Sequence, residues 1–466
     1  MAGSEQFLGY HSEWNLGSPG GWDYQRITQE IGKAVWEKLF AHTPAHIDVN
    51  FDHPMLFPVN GLVDLMRDAH RRREGSSPGL IAVVVEEETL DDVVENQNLA
   101  LALDRLNGIT GVLVAPHWLE MQGARVAYRG EPVSVIFMDF NTDVLLTLHR
   151  KHGLDPLLQA VREGRVINPR GTEPINVKSM FEVITDPEMN KCFHQETIAR
   201  TPWTRRFYPR ATTGPDGEAI SDLVAWTRKN WDNLVLKPER GYSGKGVCVG
   251  GVFEDGDAAV NLALETGAYI VQRKVDLSLW AEDIPELDAG QTHIIQTRYQ
   301  TDFRCLFGNQ GMFGFLCRYG SVPTNVGSGG GVQPMAVLES DMSVGEATDL
   351  LNKTIMDMDC AHVADVLGLQ KDLAIQNRFT YLLGPIKMAL RPRLITQAQI
   401  DRLETYCRGI WQDCLTLESM WERGELDHMV DIEPDELDIA RSQPWKGSAA
   451  IFASDGIFSF GAHKEP

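Results

Sequence analysis

Apolar positions recur along this chain with two spacings, and the changes between them mark its parts. Over residues 27–40 (ITQEIGKAVWEKLF) they recur every three to four positions, the period of a helix with one buried face. The segment HIDVNFDHP, residues 46–54, reads as a short strand that stops at its proline. After a polar stretch at 71–78, LIAVVVEEE, GVLVAP and PVSVIFMDF are buried strands, and residues 93–106 between the first two have helical spacing. Strands alternating with helices predict a parallel sheet over about residues 79–175. From residue 176 the runs NLVLKP, GVCVGG, YIVQRKV, HIIQTRYQTDFRCLF and GMFGFLCRYG follow one another without long helices between them, which predicts antiparallel pairing. Residues 344–364 and 396–420 return to helical spacing, and residues 449–460 read as two short strands around a tight turn at Asp455-Gly456. The expected division is 1–78, 79–175, 176–340 and 341–466.

Composition narrows the class of function. A chain of 466 residues is long enough for about three structural units, and 43% hydrophobic with 23% charged residues excludes wholesale disorder. A formal net charge of -22 argues against nucleic acid or an anionic membrane as the main partner. Seven scattered cysteines without a CxxC pair fit reduced thiols rather than a disulfide scaffold or structural zinc. The opening MAGSEQFLGYHSEWN has neither a basic start nor an apolar core, so a cytoplasmic protein is expected. A homodimer is the symmetric expectation for any self-association.

Four groups of residues carry candidate chemistry. The stretch from Leu234 to Val247 delivers Lys237 at the end of a buried strand and follows it with Gly241, Ser243, Gly244 and Gly246. A lysine plus glycines that let backbone N–H groups approach oxygens can hold a polyphosphate, although this is not a Walker A loop. About 30 residues on, a strand ends in Gln272, Arg273, Lys274 and Val275, whose backbone could line a purine base. Asp302 and Arg304 share one face of a strand by alternation, Arg318 lies on the next strand, and Asn325 opens an Asn/Gly-rich loop. Guanidinium forks suit phosphate and carboxylate oxygens, and a salt-bridge ladder is the competing explanation. Asp48 and Asn50, two apart on a strand, offer hard oxygens suited to Mg2+, with Asp455 as a third. Asp139-Phe140-Asn141 repeats the acidic-x-Asn pattern, and Asp302 and Glu239 compete with Asp455.

The order lysine strand, glycine loop, glutamine strand, Asp-x-Arg, Arg and Asn-Gly loop resembles the ATP-grasp ligases. It is closest to the circularly permuted group that includes glutathionylspermidine synthetase and eukaryotic glutathione synthetase. In that group a metal strand similar to HIDVNFDHP comes before the nucleotide-binding strands; Thr201 to Arg206 (TPWTRR) resembles a further signature, and Asn176 to Ser179 resembles a segment whose lysine, here Lys178, reaches ATP. Lys191 competes for that role. The resemblance covers about residues 45–335 and implies a permuted ATP-grasp fold of the α/β (α+β) class, with an α/β substrate domain and a helical C-terminal segment. It implies ATP and Mg2+, and a small-molecule carboxylate and amine, amino acids or a specialised metabolite, joined as an amide through an acylphosphate. Lys178, Lys237 and the glycine loop would hold phosphates, residues 272–275 the adenine, and Asp48, Asn50 and a third carboxylate the metal. Arg304, Arg318 and Asn325 would serve the transferring phosphoryl group. A phosphotransferase or a non-catalytic nucleotide-binding protein is the alternative.

Overall fold

The computed structural model describes residues 9–241, 244–253, 255–275, 281–321, 326, 329–381, 384–430, 432–448 and 452–458, the last of these as backbone. The chain is a mixed α/β protein with several sheets.

The central sheet is antiparallel and runs in the order Gly9–Asn15, Phe452–Phe458, Ile294–Gly308, Gly311–Gly320, Gly331–Gln333, with Ala281–Leu287 on the other half of the long strand. Strands from opposite ends of the sequence are therefore neighbours, Glu13 opposite Asp455 and Asp455 opposite Arg304. The Asp455-Gly456 pair lies inside one continuous strand, not at the turn between two short ones that the dipeptide suggested. Pairing on both sides of Phe452–Phe458 outweighs the local turn preference of Asp-Gly.

One face of this sheet is covered by the helix Gln397–Glu422. Its Leu403, Cys407, Ile410, Cys414 and Leu417 follow helical spacing and join Phe303, Phe307 and Phe315 in one core. Thr396 and Gln399 close its first turn as a reciprocal cap. The expected single helical run over 344–364 is two helices, Val344–Met356 and Cys360–Gln376, because Asp359 caps a new start by accepting from Ala361 N.

The strands Ile109–Val114, Gly79–Val84 and Glu131–Met138 pair in parallel, and Arg125–Tyr128 and Glu120–Gln122 extend the sheet antiparallel. Burial on both faces explains their unbroken apolar runs. The helix Val94–Asp104 packs on Ile81 and Val83, whereas Thr142–His152 packs against the opposite face through Leu145, on Leu80 and Ala82.

A four-stranded antiparallel sheet, Cys248–Val249, Leu234–Pro238, Tyr269–Arg273 and Thr204–Arg206, has its own core around Leu236, Val271 and Ala263. A smaller three-stranded sheet joins Val49–Asn50, Met335–Leu338 and Arg393–Ile395. Among the described residues no helix is long and apolar enough to cross a membrane.

Candidate functional site

The lysine strand sets the first half of the site. Alternation buries Leu234 and Leu236 in the small core, while register places Val235 opposite Gln272. Lys237 Nζ donates to Gln272 Oε1 at 2.8 Å, and Gln272 Nε2 donates to Thr204 Oγ1 at 3.0 Å. Desolvation pulls the Lys237 ammonium down to about 8; Glu13 counteracts this and Lys178 adds to it.

Lys178 reaches the same place from a different part of the chain. Its backbone N–H donates to Glu239 O at 3.0 Å, its Nζ donates to Gly241 O at 3.0 Å, and the same Nζ lies 3.7 Å from Glu13 Oε2. Lys191 is exposed on a separate short turn, Asn190–Cys192. Gly241, Gly244 and Gly246 have φ of 140, 71 and 74°, a backbone that side chains disfavour. Ser243 lies outside the described residues. At the end of the Gln272 strand, Arg273 N donates to Trp203 O and Lys274 N to Asn233 O, both at 2.8 Å. Lys274 Nζ donates to Gly250 O at 2.7 Å, and Arg273 pairs loosely with exposed Asp216 at 3.4 Å. Arg273, Lys274 and Val275 line a cavity of about 500 Å³ together with Tyr10 and Trp203.

A second cavity, of about 430 Å³, holds the other half. Arg304 and Arg318 line it from adjacent strands, facing Glu13, Asn15 and the segment Gly17 to Gly21. Arg304 Nη1 donates to Gly20 O at 3.0 Å. Arg318 forms a bidentate pair with the directly opposed Asp302, at 2.8 and 3.0 Å. That pairing occupies Asp302, and Glu239 accepts from Arg206 Nε at 2.8 Å, so both competing carboxylates are held by arginines. Asn325 lies outside the described residues.

Asp48 and Asn50 are elsewhere. Val49–Asn50 pairs with Met335–Leu338 in the three-stranded sheet. Asn50 Nδ2 donates to Glu339 Oε1 at 3.0 Å, its Oδ1 accepts from Asp52 N at 2.8 Å, and Asp48 O accepts from Glu339 N at 2.9 Å. Neither residue lines the cavity that holds the arginines. The local match to HIDVNFDHP reflects an Asn side chain closing its own turn.

Two acidic-x-Asn pairs line this cavity: Asp139-Phe140-Asn141, the competing pair in the sequence, and Glu13-Trp14-Asn15, which sequence reasoning passed over. Trp14 is buried edge-on to Phe181, with ring centroids 4.7 Å apart, and alternation turns Glu13 and Asn15 to the other side. A break in register between His11 and Glu13 bends the strand just before them. Asp455 occupies the register position between Glu13 and Arg304; its side chain lies outside the described atoms. Carboxylate and amide oxygens of this kind fit a hard divalent cation such as Mg2+.

The sequence matches no protein-family model and no curated protein. Among solved structures it is similar to the apo form of a glutathione synthetase-like effector, GSS30, from Globodera pallida. That match is 11% identical, covers 66% of this chain and 63% of the effector, and has a TM-score of 0.36. It is also similar to the D-cycloserine synthetase DcsG, 13% identical over 62% of this chain and 82% of that one, with a TM-score of 0.29. The chain thus spans less than two thirds of the effector's length. By name one neighbour is a synthetase-like effector and the other a synthetase, and likeness at this level does not define the chemistry here.

Proposed function

We propose that the chain is an ATP-dependent carboxylate–amine ligase of the circularly permuted ATP-grasp type. One observation carries this reading. Lys178 and Lys237, from separate segments, converge with Glu13 at the mouth of a glycine loop, next to a cavity lined by Arg304 and Arg318. Two ammonium groups and a glycine-rich segment suit a polyphosphate, and the neighbouring guanidiniums suit the group that receives its terminal phosphate. The adjacency of Gly9–Asn15 and Phe452–Phe458 in the central sheet is what a permuted chain order would produce.

On this reading Lys178 and Lys237 hold the phosphates, and residues 272–275 take the base. Glu13 and Asn15, with Asp455, would hold Mg2+, which neutralises phosphate charge when bound. A substrate carboxylate attacks the γ-phosphorus; the bond to the β-phosphate oxygen breaks, giving an acylphosphate and ADP. An amine then attacks the acyl carbon, inorganic phosphate leaves, and the nitrogen loses a proton to complete the amide. Arg304 and Arg318 position the carboxylate and stabilise charge on the transferring group. The acylphosphate must be kept from water, and the glycine-rich segment that begins at Gly241, beside Lys178, is suited by composition to closing.

The test is ADP release from Mg2+-ATP across amino acids offered singly and in pairs, with mass spectrometry on each hit. Release that needs a carboxylate and an amine together, with a product one water lighter than their sum, is expected. Release with a single substrate and a phosphorylated product would replace the ligase by a phosphotransferase.

A further inference from the structure

The second cavity has an end that the phosphoryl chemistry leaves unused. Besides the arginines it is lined by Glu86, Asp139 and Asn141. Asp139 Oδ2 accepts from Asn96 Nδ2 at 2.6 Å, and neither Asp139 nor Glu86 has a basic partner among the described residues. The Asn141 Oδ1 atom is buried there without a hydrogen-bond partner among the described residues. Burial drives the Asp139 carboxyl up to about 6, and the neighbouring charge of Glu86 adds to it. Desolvation raises Glu86 as well, with help from Glu88 and Asp143. These residues therefore bring two carboxylates to the cavity with one amide donor, Asn96, and no basic counter-ion between them among the described residues.

Topology gives an independent reason to expect a ligand here. Glu86 follows the carboxyl end of Gly79–Val84, and Asp139 follows that of Glu131–Met138, two parallel neighbours at the middle of their sheet. The chain leaves the first toward Val94–Asp104 on one face and the second toward Thr142–His152 on the other. Loops that part in this way open a crevice at the strand ends, where open α/β sheets bind their ligands.

We infer that the Glu86–Asp139 crevice is the subsite for the amine substrate, taken in as its ammonium ion, which passes one proton to a carboxylate of this pair before the free amine attacks. This rests on the ligase reading and names its second substrate class: a small primary amine with no negative charge near its nitrogen at this end. A cavity of about 430 Å³ accommodates a metabolite-sized molecule and not a folded protein. The carboxylate substrate would lie toward Arg304 and Arg318, so the cavity sorts its two ligands by charge.

The experiment is calorimetric titration of the full chain with L-alaninamide and putrescine, and with their N-acetylated forms, which lack the ammonium. Both cations are expected to bind and the acetylated forms to bind at least tenfold more weakly. Asp139→Asn and Glu86→Gln should each weaken the cations about tenfold and leave ADP binding unchanged; the half-exposed Glu86 position guards against a folding failure at Asp139. Equal binding of acetylated probes, absence of cation binding, or wild-type affinity in both variants overturns the inference. If cations bind and the variants lose them while ATP is never cleaved, the subsite stands and the ligase reading fails. If ATP-dependent amide formation occurs and both variants keep the wild-type KM for the amine, the ligase reading stands and the subsite fails.

Discussion

Lys237 gives the sharpest prediction because its charge is poised. Burial holds its ammonium near 8, against an ordinary value of 10.5, with Glu13 favouring the charged form and Lys178 opposing it. A bound phosphate favours the charged form, so nucleotide binding must supply the proton wherever the free lysine has lost it. The charged fraction of a group at 8 falls from about 0.9 at pH 7 to about 0.1 at pH 9. The Kd for ADP should therefore rise about tenfold between those values, equivalent to about 1.4 kcal/mol, with most of the change above pH 8. Competition against a fluorescent nucleotide, at constant ionic strength from pH 7 to 9.5, measures this directly. Lys237→Met keeps the stem and removes the titration, so it should bind more weakly at pH 7 and show a flatter profile. A wild-type Kd flat across the range, or an equal slope in Lys237→Met, would refute the assignment of Lys237 to the phosphates.

Four further outcomes are expected. Glu13→Gln should raise the Mg2+ concentration for half-maximal ADP release by about tenfold or more, whereas Asp48→Asn should leave it near wild type, a contrast read from Mg2+ titrations. Arg304→Ala should lower kcat on the order of 10²–10³-fold in a coupled ADP assay. Glu95 accepts from the backbone N–H groups of Gly21, Asp23 and Tyr24 at 2.9 to 3.1 Å, capping a helix whose first position has no side chain to do so. Glu95→Ala should cost about 1–3 kcal/mol of stability by urea denaturation. Gly21 has φ 110°, and a Cβ there would meet Leu316 Cδ2 at 2.2 Å, so Gly21→Ala should lower the urea midpoint by a similar amount and disturb the cavity wall.

How much of this was legible depended on the range over which the information is spread. The strands Leu234–Pro238, Tyr269–Arg273, Ile294–Gly308 and Gly311–Gly320 are long apolar runs, and Lys237, Gln272, Arg304 and Arg318 were readable at their polar positions. Glu13 and Asn15 sit in a Gly- and Pro-rich region where no apolar alternation advertises a strand. Their strand exists because Phe452–Phe458 pairs with it, a contact between opposite ends of the sequence that no local pattern contains. HIDVNFDHP offered the better local match and went to a different sheet for the same reason: partner choice is decided by the strands already in place. The Glu86–Asp139 crevice was invisible too, since only the parting of two helices to opposite faces creates it.

The pairing of Gly9–Asn15 with Phe452–Phe458 also constrains how the protein is made. Ribosomes add about 5–20 residues per second, so the early strand waits roughly 20–90 s for its partner to be synthesised. During that interval the partner's slot, flanked by Gly9–Asn15 and Ile294–Gly308, has no strand to fill it, and Glu13 has no fixed place relative to Arg304. Assembly of the site thus waits for Phe452–Phe458, and a message cut short anywhere before the codons for that strand yields a chain with its central sheet unsealed.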